Sequence, residues 1–198
     1  MSLSTRLNGL AVIAVITLTT SVAFAQDSTS PSGHGKTSAG VAAADSTFMK
    51  KAADGGMAEV ELGKLAAEKG SSQEVKDFGQ RMADDHSKAN DQLKQLASQK
   101  HVELPQQPSS KHAATKAKLE KLSGEDFDKA YVAEMLKDHK QDVAEFKRKS
   151  KSAHDDDLKS FASQTLPTLQ EHLKQVQNLA STRHTETSST QPASASQR

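Results

Sequence analysis

Apolar residues recur every three or four positions along four long segments of this 198-residue chain. Such spacing is typical of α-helices that bury one face. The predicted helices cover about 45–69, 73–100, 125–150 and 155–180. No segment alternates apolar and polar residues with a period of two, so we expect no strand. The pattern predicts an all-α fold, an antiparallel four-helix bundle with short connections.

Helix-breaking and capping residues refine the predicted boundaries. Asp45 or Ser46 is expected to cap the first helix, because short oxygen-bearing side chains satisfy the first backbone N–H groups. Pro105 ends the second long helix, and a short extra helical piece over about 110–122 is expected before the third. Pro167 lies inside the fourth helix and predicts a kink or local irregularity there.

Residues 1–25 have the layout of a secretory signal peptide. A single Arg6 precedes an apolar core from Leu10 to Leu18, and the segment ends in the small-x-small pattern Ala23-Phe24-Ala25. The apolar core is shorter than the roughly 20 residues of a membrane-spanning helix. We therefore expect a periplasmic protein with no membrane span after cleavage. The alternative is a protein anchored to the inner membrane by an uncleaved signal.

The two segments that flank the predicted bundle contain little that a fold can bury. Residues 26–44 are rich in Ser, Gly and Thr and are expected to form a flexible leader. Residues 182–198 have a similar composition and are expected to form a disordered tail. The folded domain is accordingly predicted to cover 45–181.

Charge and cysteine content limit which partners the protein can be expected to bind and whether disulfides can stabilise it. The chain has 26 basic and 25 acidic residues, so removal of Arg6 with the signal leaves equal numbers. A dedicated nucleic-acid binder usually has a basic excess, and no nucleic-acid partner is expected. The chain has no Cys, so it cannot use disulfides. Composition identifies neither a protein partner nor an oligomeric state.

Each long helix carries one polar side chain that can bind a metal and lies on or beside its apolar stripe. These side chains are Glu59, His86, His139 and His172. Each histidine directly follows an acid, and these acids are Asp85, Asp138 and Glu171. Side chains on facing helices are the usual way in which bundles build metal centres.

Imidazole and carboxylate groups together suit a divalent transition metal, so these four residues are the candidate ligands. The three acids and Tyr131 are candidates for orienting the histidines through hydrogen bonds. Helix rise places Glu59 and His86 within about 6 Å along the bundle axis, but His139 and His172 about 10 Å apart. His172 therefore fits a shared site least well. The alternative is that the histidines are structural residues hydrogen-bonded at the edge of the core.

Three segments in order resemble a known bacterial family. They are "FMKKAADGGMAEVELGKLAAEKGSSQEVKDFGQRMADDHSKANDQLKQLA", "LSGEDFDKAYVAEMLKDH" and "LPTLQEHL". They are similar to the family of domain of unknown function 4142. This resemblance implies a ferritin-like four-helix bundle in an exported or membrane-associated protein without an established activity. The family's motif positions would be Glu59, Asp85, His86, Phe127, Asp128, Tyr131, His139, Pro167 and His172.

A standard di-iron centre would need Glu-x-x-His on two helices. The residues three positions before the histidines are Ala83, Leu136 and Leu169, which cannot bind a metal. We therefore expect no enzyme activity, but a protein that binds a metal or small ligand between its helices, with a role in envelope stress tolerance. The alternative is a structural or interaction module whose polar core sets the helix register. A di-metal oxidase is the third hypothesis, which the missing motif disfavours.

Overall fold

The computed structural model describes residues 41–189, which form five α-helices and no strand. The helices are α1 (Ala43–Lys69), α2 (Gln73–Gln99), α3 (Ser110–Glu120), α4 (Gly124–Ser152) and α5 (Asp156–Ser189). The predicted all-α class is confirmed. None of these helices combines the length and the apolar character that a membrane crossing needs.

The helical segment extends beyond the predicted domain at both ends. α1 begins at Ala43, and Val41 before it packs on the core, so the predicted leader is too long by a few residues. α5 continues through Pro167 to Ser189, past the predicted start of the tail at 182, because no Gly or Pro lies between 168 and 189 to end it. The predicted signal peptide, most of the leader and residues 190–198 lie outside the described residues.

Glycines bring α1 and α2 into close contact. A Cβ atom on Gly63 would lie 2.6 Å from the Gly79 carbonyl oxygen, and one on Gly79 would lie 2.7 Å from the Gly63 carbonyl oxygen. Only residues without a side chain fit at this crossing. Of the neighbouring pair Gly55 and Gly56, the second packs against Asn90, whereas the first faces open space.

Two buried aspartates each hold the turn of the opposite helical hairpin. Asp45 of α1 accepts hydrogen bonds from the backbone N–H groups of residues 154–155 at 2.8 and 3.0 Å, and pairs with Lys149 at 2.8 Å. Asp128 of α4 accepts hydrogen bonds from the N–H groups of residues 71–72 at 2.8 and 2.9 Å. The prediction that Asp45 caps its own helix is therefore wrong, since it satisfies donors at the start of α5 instead.

The two hairpins, α1–α2 and α4–α5, repeat one pattern at a distance of 83 residues. Equivalent positions carry similar residues in similar places. These pairs are Asp45 and Asp128, Phe48 and Tyr131, Glu59 and Asp142, Val75 and Leu158, Phe78 and Phe161, and Leu93 and Val176. The repeat explains why each hairpin supplies the aspartate that caps the turn of the other.

The apolar core has two parts. One lies near the α4–α5 turn and contains Phe48, Phe146 and Phe161. The other lies near the α1–α2 turn and contains Phe78 and Tyr131 among its members. On each of α2, α4 and α5, one histidine lies between the residues that belong to the first part of the core and those that belong to the second. The histidines therefore occupy a polar layer in the middle of the helical bundle.

Candidate metal centre

Three helices bring His86, His139 and His172 together in the polar layer. One ring nitrogen from each lies within 4.8 Å of the others. Their ring centroids form a nearly equilateral triangle with sides of 5.6, 5.4 and 5.4 Å. The residues are 6%, 0% and 1% exposed, so protein surrounds the cluster.

The position of His172 differs from the one that helix rise predicted. Thirteen residues separate His139 from the end of α4 at Ser152, and sixteen separate the start of α5 at Asp156 from His172. The difference of three residues is about 4.5 Å along the axis, rather than about 10 Å. The two imidazole rings span this distance, and His139 Nε2 lies 3.4 Å from His172 Nδ1.

A protein acceptor faces one nitrogen of each imidazole. The pairs are His86 Nδ1 with Glu59 Oε2 at 3.1 Å, His139 Nδ1 with the Met135 carbonyl oxygen at 3.1 Å, and His172 Nε2 with Asp85 Oδ2 at 3.0 Å. A neutral imidazole has one N–H, and each acceptor draws that hydrogen to its own side. We therefore assign lone pairs to His86 Nε2, His139 Nε2 and His172 Nδ1. Metal-binding histidines are commonly oriented in this way.

Burial keeps all three imidazoles neutral. It lowers the pKa of His86 well below its ordinary value, and the neighbouring His139 and His172 lower it further. Burial also lowers the pKa of His139 to about 3. The pKa of His172 falls through burial too, although the hydrogen bond to Asp85 partly opposes the change. Neutral imidazole is the form that binds a metal.

Two features of the cluster favour a bound metal ion. Two nitrogens bound at about 2.1 Å to one tetrahedral ion lie about 3.4 Å apart, which matches His139 Nε2 and His172 Nδ1. His86 Nε2 is buried and has no hydrogen-bond partner among the described residues. A buried polar atom without a partner costs about 1–3 kcal/mol, and a bound cation would remove that cost.

Glu59, the predicted fourth ligand, lies next to the cluster but on the outer side of the rings. Its Oε2 faces His86 Nδ1, and its Oε1 lies 3.5 Å from His139 Nδ1. Oε1 has no hydrogen-bond donor among the described residues, although Glu59 is only 5% exposed. Burial, and then the charges of Asp142 and Asp138, raise the pKa of Glu59. Glu59 thus orients His86 in this arrangement.

Asp142 is a site residue that the sequence did not single out. Its carboxyl group lies within hydrogen-bonding reach of the Glu59 carboxyl group, and burial raises its pKa to about 6. Two carboxyl groups so close together repel each other when both are ionised, so the pair needs a proton or a cation between them. Two signals could have found Asp142: it lies three residues after His139 on the same helix face, and the repeat places it opposite Glu59.

The other predicted orienting residues have different surroundings. Asp85 contacts a histidine, namely His172. Asp138 is part-exposed and Glu171 is exposed, and neither forms a hydrogen bond or ion pair with a clustered histidine. The Tyr131 hydroxyl is buried and has no hydrogen-bond partner within residues 41–189, and burial raises its pKa so that it stays protonated. An acid next to a histidine points about 100° away from it, so its neighbours depend on helix packing.

A cavity of about 180 Å³ adjoins the cluster on the side covered by α3. Glu59, His86 and Asp142 lie in its wall. Contacts between α1 and the α3 region close this side: Asp54 accepts a hydrogen bond from Ser109 N–H at 2.6 Å. The candidate centre is therefore buried on one side and bordered by an acidic cavity on the other.

Comparisons with known proteins identify the family. No curated protein and no solved structure matches the chain. The family model described as domain of unknown function (DUF4142) matches residues 30–179, which confirms the resemblance seen in the three sequence segments. Because the match covers most of its length, this chain belongs to the DUF4142 family.

Proposed function

We propose that this protein binds one divalent transition metal through His86, His139 and His172. The observation that carries the proposal is the convergence of one ring nitrogen from each of three neutral imidazoles, of which His86 Nε2 has no hydrogen-bond partner among the described residues. Imidazole ligands suit Zn²⁺, Cu²⁺, Fe²⁺ or Ni²⁺. Three protein ligands leave a fourth position for water or another small ligand.

The proposed scaffold is an antiparallel four-helix bundle of the ferritin-like type, with α3 as a short addition. The order of contacts supports it. Along α1 and α4, Asp45 meets Lys149, Phe48 meets Phe146 and Glu59 meets His139, so the two helices run in opposite directions. Along α2 and α5, Asp85 contacts His172 whereas Lys100 pairs with Asp157, which indicates the same relation.

We propose a periplasmic location with cleavage of the signal after Ala25. The apolar core and the small residues at 23–25 support this proposal. Mass spectrometry of the protein from its own host should show a chain that begins at Gln26. A protein that retains residues 1–25 in the membrane fraction would favour the anchored alternative.

We propose binding rather than catalysis. The metal-facing nitrogens belong to residues that are at most 6% exposed, which limits the access of a substrate. The positions three residues before each histidine carry Ala83, Leu136 and Leu169, so the usual di-iron ligand pattern is missing. A di-metal oxidase is therefore the less supported hypothesis.

The test is the metal content of untagged protein purified from its host. We expect about one equivalent of a transition metal in the native protein, and its loss in each of the variants H86A, H139A and H172A. His101 lies outside the cluster on an exposed position, so H101A is the matched control and should keep the metal. Retention of metal in all three cluster variants would exclude this site.

The alternative function is a structural module in which the polar layer sets the helix register. The hydrogen bond between Asp85 of α2 and His172 of α5 favours it, because this bond joins the two hairpins without any metal. On that hypothesis H172A lowers the free energy of unfolding of metal-free protein by about 1–3 kcal/mol. The same hypothesis predicts that a chelator leaves the melting temperature of the native protein unchanged. On the metal-binding hypothesis a chelator lowers the melting temperature, because it removes a ligand that stabilises the folded state.

A further inference from the structure

We propose that Glu59 and Asp142 form a second position for a divalent cation, in the cavity beside the histidine cluster. This inference rests on the proposed function, because it adds a second cation to the one that the histidines bind. The two positions differ in chemistry. The first has imidazole nitrogens, whereas the second has carboxylate oxygens and space for water.

One oxygen of the Glu59 carboxyl group contacts a histidine, and the group also lies within hydrogen-bonding reach of the Asp142 carboxyl group. Oε2 faces His86 Nδ1 at 3.1 Å. Oε1 has no hydrogen-bond donor among the described residues, and the Glu59 side chain is only 6% exposed. The nearest ring nitrogen, His139 Nδ1, lies 3.5 Å from Oε1 but is closer to the Met135 carbonyl, at 3.1 Å. A buried carboxyl oxygen that lacks a donor and lies beside a second carboxyl group needs a proton or a cation there, and a divalent cation can take the place of the proton.

Asp142 supplies the second carboxylate from the opposite helix. It lies beside Glu59 in the wall of the same cavity, and the 83-residue repeat makes the two positions equivalent in their hairpins. The pair therefore faces the cavity from α1 and from α4 at the same level. A cation between them would bridge the two hairpins.

The charge and the size of the cavity favour a hydrated cation. Six carboxylates line it against two lysines, Lys51 and Lys111, of which the first pairs with Glu145. The six are Asp54, Glu59, Glu134, Asp138, Asp142 and Glu145. The volume of about 180 Å³ holds an ion and several waters, since one water occupies about 30 Å³ in the liquid. Carboxylate and water ligands suit Mn²⁺ or Mg²⁺ rather than a metal that prefers nitrogen.

Manganese provides the probe, because free Mn²⁺ gives an electron paramagnetic resonance signal that binding removes. The full-length mature protein is stripped of metal, loaded with one equivalent of Zn²⁺ to fill the histidine cluster, and titrated with Mn²⁺. We expect the native protein to bind one Mn²⁺. The variant D142N should bind Mn²⁺ about 100-fold more weakly while it keeps its zinc. Glu134 lies in the cavity wall but pairs with Lys137, so E134Q is the matched control and should bind as the native protein does.

A measurement on the native protein alone guards against a D142N variant that fails to fold. Bound Mn²⁺ should broaden the imidazole NMR signals of His86 and His139 most strongly, because both rings contact Glu59. Native protein that binds zinc but no manganese would overturn this inference and leave the proposed function intact. Equal manganese binding by D142N and native protein, or no selective broadening, would also overturn it. Protein that binds neither metal would overturn both proposals.

Discussion

The buried state of His139 makes the stability of the metal-free protein depend on pH. The residue is 0% exposed, and burial holds its pKa at about 3 in the folded chain, against 6.5 as the ordinary value. Below pH 6.5 the unfolded chain therefore binds a proton at this residue that the folded chain does not bind. The contribution of His139 to the free energy of unfolding therefore falls as the pH falls from 6.5 towards 3.

The size of this effect follows from the two pKa values. Each unit of pKa difference is worth about 1.4 kcal/mol, so His139 lowers the free energy of unfolding by about 2 kcal/mol between pH 7.5 and pH 5. Glu59 and Asp142 act in the opposite direction, because their folded pKa values are raised and their protons stabilise the fold as the pH falls. A comparison of variants removes this opposing contribution, since both acids are present in every protein compared.

The assay is urea unfolding of native protein and H139Q at both pH values, in the presence of a chelator. We expect H139Q to lose about 2 kcal/mol less than the native protein on acidification. Val176 is equally buried but has no titratable group, so V176A is the matched control and should lose as much as the native protein. Equal losses in native protein and H139Q would refute the claim that the fold holds His139 neutral.

Three further predictions concern the turns, the helix crossing and the orientation of the histidines. D128A should lower the free energy of unfolding by about 1–3 kcal/mol. D45A should lower it by about 3–5 kcal/mol, because this variant also leaves a buried lysine unpaired. Urea unfolding that gives the reverse order would contradict the assigned contacts. G63A should destabilise the protein by about 1–3 kcal/mol, because the added methyl group clashes with α2. G55A should stabilise it by up to about 1 kcal/mol, because position 55 faces open space. Melting temperatures that change in the same direction in both variants would contradict the described packing of α1 on α2. D85A should weaken zinc binding about 10–100-fold in a competition assay without a change in stoichiometry, and unchanged affinity would show that the bond to the histidine on α5 is unimportant.

The helices could be predicted from the sequence because local signals define most of their ends. Ser72, a residue type that favours the N-cap position, caps α2 and accepts a hydrogen bond from Val75 N–H at 3.4 Å. The capping role of Asp45 could not be predicted, because its partners lie about 110 residues away along the chain. The close contact at Gly63 was also missed, since the sequence does not show which face of α1 meets α2.

The candidate residues were found by their place on the helix stripes, but their roles depend on tertiary contacts. His172 was expected to fit poorly, because a few residues of uncertainty in the α4–α5 turn change its height by several ångströms. Asp85 and Glu171 both precede a histidine, yet α5 packs over the first and solvent covers the second. Asp142 was overlooked because no histidine stands beside it, although it follows His139 by one helical turn.

X-ray absorption by protein loaded with one equivalent of zinc tests the central claim most directly. If His86, His139 and His172 bind the ion together, the spectrum should show nitrogen ligands at about 2.0–2.1 Å and outer scattering from three imidazole rings. H139Q treated in the same way should not show outer scattering from three imidazole rings. A spectrum of the native protein with oxygen ligands and no imidazole scattering would contradict the proposed centre.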